Sequence, residues 1–164
     1  MKSHSFRRLP VADTMDIKIT VQAQDFDPGA EIKWLERDTS EDGALVTFIG
    51  KVRDHNQGEQ VAHLYLEHYA GMAERSLQQI AEQAKQRWQI GKIRIIHRVG
   101  ELHVDDNIVF VGVTSAHRQD AFYASQMIMD YLKTEAPFWK KEQTAAGSRW
   151  VTANQNDQNE AQKW

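Results

Sequence analysis

The chain has 164 residues, 41% hydrophobic and 26% charged, enough for one domain with a real core or two small lobes that share one. Its net charge of −3, from 20 basic and 23 acidic side chains, argues against a broad nucleic-acid-binding surface but leaves room for a local basic pocket. There is no cysteine, which excludes disulfides, thiolate zinc sites and a cysteine nucleophile.

No apolar run approaches the ~20 residues of a membrane span. Residues 1–16 are basic (Lys2, Arg7, Arg8) without the apolar stretch of a signal peptide, and read as a loose extension. A cytoplasmic protein is expected. Residues 17–21 alternate apolar and polar, as a half-buried strand does. Asp27 and Pro28 give an N-cap and a first-turn proline, so a short helix over 29–37 follows. Residues 38–43 form a turn. Residues 44–52 are apolar on both faces and predict a central strand. Residues 53–60 read as a polar loop with one glycine. Residues 61–68 alternate again, with Val61, His63, Tyr65 and Glu67 on one face.

Leu77, Ile80, Ala81, Ala84 and Trp88 fall at helical spacing and predict a helix over 73–88. Strands follow over 92–99 and 108–115, the second apolar on both faces and so buried. A helix then runs over 118–135 and stops before Pro137, which disfavours the helical conformation at Ala136. Residues 138–143 and 148–152 pair as a hairpin across Ala145-Ala146-Gly147. Residues 153–163, rich in Asn, Gln and acidic side chains, read as flexible or partner-dependent. Strand–helix–strand units mix with adjacent strands, without an internal repeat, which favours an α+β fold.

The sequence holds no G-x-G-x-x-G, no P-loop and no H-E-x-x-H. The seven histidines lack ligand spacing; His63 and Glu67 share a strand face, where a structural histidine is the better reading than a metal ligand. Basic residues are more informative. His117-Arg118 opens a helix after a buried strand, where free N–H groups and the helix dipole favour an anion. A phosphate or carboxylate site and a solvated helix start remain equally open there. Arg53 ends the strand over 44–52, a place where sites are built, although a plain surface arginine explains it as well. Lys133 shares a stripe with Met129 and Phe122. It either snorkels from the core edge, suits the helix C-terminus, or is desolvated with a lowered pKa. Lys140, if extended, shares a face with Phe138, while Trp139 and Lys141 face the other way. Arg118 and Lys133 lie fifteen residues apart on one helix, about 22 Å at ~1.5 Å per residue. If both serve one site, a dimer with each site built from two subunits is the simplest solution.

Phe48-Ile49-Gly50-Lys51-Val52-Arg53, Leu66-Glu67-His68-Tyr69, Ile96-His97-Arg98-Val99-Gly100, Val111 through Arg118, Met129 through Thr134 and Ala136-Pro137-Phe138-Trp139-Lys140 together resemble the catalytic, larger subunit of molybdopterin synthase, the MoaE family. The resemblance runs from about Ile17 to Trp164. It implies an α+β fold with a hammerhead-like α/β subdomain and a second, mixed β subdomain, in a dimer. Residues 1–16 would be an extension, 17–152 the catalytic domain and 153–164 a polar tail.

The resemblance further implies a sulfurtransferase of molybdenum cofactor biosynthesis. It would convert cyclic pyranopterin monophosphate to molybdopterin by installing a dithiolene. Sulfur would come from a small ubiquitin-like partner whose C-terminal Gly-Gly ends as a thiocarboxylate, within a heterotetramer built on a catalytic-subunit homodimer. The family's two active-site lysines match Lys133 and Lys140. Lys133 would sit beside the thiocarboxylate as acid/base or oxyanion stabiliser, and Lys140 would assist proton transfer or substrate charge. Arg53, His117, Arg118, Phe48 and Met129 would bind substrate, His117 and Arg118 reaching in from the neighbouring subunit. No cofactor, metal, nucleic acid or membrane enters this reading. A chain without cysteine cannot carry a persulfide, which agrees with sulfur arriving on a partner. Asn154 departs from an arginine expected nearby in some relatives. A non-catalytic dimeric module binding a partner's C-terminal tail is the rival reading, and the presence of both lysines disfavours it. A phosphate-ester enzyme would need a nucleophile or metal site, and neither shows.

Overall fold

The structure, a computed structural model, describes residues 16–164; the extension expected over 1–16 lies outside them except for Asp16. The elements run β1 (Ile17–Gln22), α1 (Pro28–Leu35), β2 (Ala44–Lys51), β3 (His55–Asn56), β4 (Glu59–His68), α2 (Met72–Arg87) and β5 (Ile90–Arg98). They continue with β6 (Gly100–His103), β7 (Asn107–Ser115), α3 (Arg118–Thr134), β8 (Phe138–Thr144), β9 (Gly147–Val151) and α4 (Gln155–Ala161). The fold is α+β.

One layer is a four-stranded sheet in the order β1-β5-β7-β2. The β1–β5 pair is parallel and the others antiparallel, so this is the mixed sheet. Helices α2 and α3 cover one face, where Leu77, Ile80, Ile93, Ile95, Val111, Met127 and Ile128 form the main core. Helix α1 covers the other face through Leu35, with Phe26, Ile96 and Phe110. Asp27 caps α1 by accepting from the Gly29 amide at 2.9 Å, as its place before Pro28 predicts. Gly112 lets α1 approach the sheet: a Cβ there would lie 2.3 Å from Leu35 Cδ1.

The second layer is antiparallel throughout, ordered β3-β4-β8-β9 with β6 also paired to β4. Its inner side packs Val52, Leu64, Leu66 and Leu102.

Four expectations change. Strand β2 lies at the sheet edge, not its centre, and Phe48 and Ile49 are 42% and 36% exposed. Apolar residues on both faces reflect something other than burial within one chain. The loop expected over 53–60 is a β3–β4 hairpin, turned by Gln57 and Gly58 at φ 52° and 79°, the left-handed geometry that two-residue hairpins require. The β4–β8 register shifts between Val61 and His63, so Val61 turns inward with Leu64 and Leu66 rather than outward with His63 and Tyr65. Finally, the segment over 153–163, read as flexible or partner-dependent, includes helix α4, ordered within the chain itself and capped by Asn154 accepting from the Asp157 amide at 2.8 Å. Trp164 Nε1 donates to Asp130 on α3 at 2.7 Å, and its ring meets Trp88 edge-on at 5.7 Å. These contacts dock the segment on the domain. No helix among the described residues is long and apolar enough to cross a membrane.

Candidate active site

Helix α3 divides the candidate residues between its two ends. At its C-terminus stands Lys133, exposed in the last turn. Of the two lysines it is therefore not the desolvated one. The chain passes Pro137 and enters β8, where Lys140 is half-buried and shares the inward face with Phe138 and Glu142. Trp139 faces out, 42% exposed, and Lys141 lies over Trp150 at 5.5 Å, as the alternation predicts.

Burial pushes the Lys140 pKa down from 10.5, and the nearby positive charges of Lys133 and Arg53 push it further. Glu142 and Asp157 oppose the shift. Lys140, Lys133 and Arg53 thus share one electrostatic neighbourhood, although they come from a strand, a helix end and a loop. Arg53, just after β2, is exposed, and its guanidinium reaches Asn56 Oδ1 at 3.4 Å.

Glu142 is the buried counter-charge here, 3% exposed. It accepts from Asn56 Nδ2 at 2.6 Å and from Arg149 at 3.2 and 3.1 Å. These bonds tie the β3–β4 hairpin to the β8–β9 hairpin. Sequence reasoning passed over Glu142; the available signal was an acid at an inward strand position two residues from an inward lysine. Met129 is half-buried against the main core one turn before Lys133. Phe48 lies across from Val111 in register, on the α3 side of the sheet edge.

His117 and Arg118 lie at the other end of α3. His117 is the N-cap residue and makes no side-chain cap bond. An open cleft of about 820 Å³ adjoins them, lined by Gly43, Ala116, His117, Arg118, Gln119, Phe122 and Tyr123. Helix start, histidine and arginine together make an anion-receptive wall. Phe122 and Tyr123 are 59% and 42% exposed beside it. One chain does not bring this group to Lys133 and Lys140, because the helix of 17 residues stands between them.

His63 sits on the outer face of β4, with Glu101 at 4.0 Å and His103 opposite, not joined with Glu67. Among the described residues no group of three or more His, Asp or Glu is placed to hold a metal.

The sequence profile of the MoaE protein family matches residues 21–135. The molybdopterin synthase catalytic subunit of Escherichia coli is 57% identical over 150 residues, covering 91% of this chain and 99% of the relative. Among solved structures, the molybdopterin biosynthesis MoaE protein of Burkholderia ambifaria superposes with a TM-score of 0.77 at 46% identity, covering 90% of this chain and 97% of its own. The molybdopterin synthase crystal structure from Staphylococcus aureus gives 0.73 at 31% identity, covering 80% and 94%. With a family match across most of its length, a relative identical at more than half of the aligned positions and the same fold, the chain belongs to the MoaE family.

Proposed function

We propose that this protein is the catalytic subunit of a molybdopterin synthase. It takes sulfur from the thiocarboxylated C-terminus of a small ubiquitin-like carrier and delivers it to cyclic pyranopterin monophosphate, building the molybdopterin dithiolene. The observation that carries the reading is the gathering of Lys133 and Arg53 around the desolvated ammonium of Lys140. Both reactants are anions, and a cationic pocket draws them together. A lysine whose pKa is held down exchanges its proton closer to neutral pH than an ordinary lysine does. With no cysteine in the chain, sulfur arrives on the partner.

In this reading Lys133 stands exposed where the carrier's tail enters and stabilises the oxyanion that forms as sulfur leaves. Lys140 moves the proton. Arg53, steered by Asn56, holds the substrate phosphate, and Phe48 and Met129 wall the pterin. The catalytic domain spans 17–152, with 153–164 packed on it as an accessory element. We place the reaction in the cytoplasm.

The reconstituted reaction tests this. This protein, the thiocarboxylated carrier and the cyclic pterin are mixed, and molybdopterin is followed as its fluorescent oxidised derivative. Wild type is expected to make product, and Lys133→Ala to lose on the order of 10²-fold or more, the scale of one oxyanion donor. Product from both removes Lys133 from its role. No product from wild type, despite complex formation, favours the tail-binding module instead.

His117 and Arg118 complete the site from a second copy, and a heterotetramer results when each protomer also binds a carrier. The uncovered apolar side chains Phe48, Ile49, Phe122 and Tyr123 supply a surface for the homodimer. Phe122→Asp is expected to yield a monomer by light scattering with activity reduced at least tenfold. A monomeric variant with full activity would overturn the shared site.

A further inference from the structure

The separation between the two lysines depends on where β8 begins relative to the end of α3. Phe138 is the first residue of β8, and Lys140 follows two positions later on the same face. Lys133 lies in the last turn of α3, five positions before Phe138. Between Thr134 and Phe138 there is only a short link through Pro137, so whatever fixes the Phe138 ring also fixes the course of that link.

His97 fixes it. It lies in β5, in the four-stranded layer, and is 4% exposed. Its ring stacks on Phe138 with centroids 3.8 Å apart and planes at 12°. His68, at the end of β4, stacks toward the same phenyl ring at 6.4 Å and 20°. Phe138 is therefore held by imidazoles from both layers of the fold. His97 Nδ1 donates to the Arg98 carbonyl at 2.8 Å, which fixes the ring's orientation. Arg98 is itself anchored, donating to Ala23 and Asn107 carbonyls at 3.0–3.1 Å. The anchor reaches back through β5 into the core.

We infer that His97 is a positioning residue for the proposed sulfur transfer: by stacking on Phe138 it sets the start of β8 and hence the placement of Lys140 against Lys133. The inference rests on the reading that these two lysines work together. A flat ring suits the role because stacking resists sliding and tilting of Phe138, whereas an aliphatic side chain would fill the volume without fixing the plane. Burial also disfavours an imidazolium there, so the ring that stacks on Phe138 is the neutral one.

The test reads Lys140 directly and needs no turnover. The full chain is reductively methylated with ¹³C-formaldehyde, and each dimethyl-lysine is titrated by NMR. Lys140→Arg identifies the Lys140 resonance by its disappearance. In wild type that resonance is expected to titrate below the other lysines. His97→Ala is expected to move its midpoint up toward the ordinary range and to lower kcat on the order of tenfold, with KM changing less than about twofold. His97→Phe, which keeps a ring against Phe138, is expected to restore both. A purely structural role predicts a lower Tm with the Lys140 midpoint unmoved, and that result overturns the inference. If His97→Ala fails to fold, Phe138→Leu makes the same comparison from the other side of the stack, and an unmoved midpoint there overturns it too. Failure of the proposed activity is seen separately, as an inactive wild type whose Lys140 titration still responds to His97.

Discussion

Lys140→Met is expected to remove activity on the order of 10²- to 10⁴-fold and at the same time to raise thermal stability. The activity loss is the usual scale for removing a positioned proton-transfer group. The stability gain follows from the same environment. Burial and the charges of Lys133 and Arg53 disfavour the Lys140 ammonium in the folded chain. The unfolded chain imposes no such penalty, so the folded pKa lies below the unfolded one. Protonated Lys140 therefore works against folding at neutral pH, and stability rises with pH between the lowered pKa and 10.5. Methionine keeps the aliphatic stem and drops the charge. A Tm rise on the order of 1–3 °C is expected by calorimetry, with the pH dependence in that window reduced. A lower Tm would mean that the attraction of the Glu142 charge for Lys140 outweighs desolvation. Activity within a few-fold of wild type would remove Lys140 from the chemistry.

The second large effect is on acid stability. Burial holds the His97 pKa at about 4, against 6.5 for a free histidine. The folded state refuses a proton that the unfolded chain accepts. The stability tied to neutral His97 is therefore complete above about pH 6.5 and is lost as pH falls toward 4. That difference corresponds to about 3 kcal/mol, a large share of a small domain's total. Urea midpoints at pH 7 and pH 4.5 measure it. Wild type is expected to lose much more stability between those conditions than His97→Phe, which has no proton to gain at that position. Equal losses would show that carboxylates, rather than His97, govern acid unfolding.

Elements whose cause is local were legible in the sequence. Asp27-Pro28 announces α1, the spacing of Leu77, Ile80, Ala81 and Ala84 announces α2, and Pro137 ends α3. The β8–β9 hairpin was expected from the break at Ala145-Ala146-Gly147, and alternation put Lys140 on one face with Phe138, while only the fold shows that this face points inward. Strand order did not follow. A strand with apolar residues on both faces reads the same whether a neighbouring strand or a second molecule covers it, and β2 sits at the edge. Strand β6, four residues long, is too short to show a period. Helix α4 is polar except for Ala161, which packs on the main core, and just beyond it Trp164 bonds to Asp130, 34 positions away.

The candidate site divides along the same line. The sequence determined the residue types, the presence of a cationic chemistry without thiols, and the family. It also determined that Arg118 and Lys133 stand at opposite ends of one helix, because helix rise is a local property. Only the tertiary structure decided which lysine is desolvated, since burial depends on what the rest of the chain places over it. Only the tertiary structure joined Glu142 to Asn56, 86 positions away, and stacked His97 on Phe138. Those contacts form between segments distant in sequence, and no local pattern encodes which distant partner a side chain will meet.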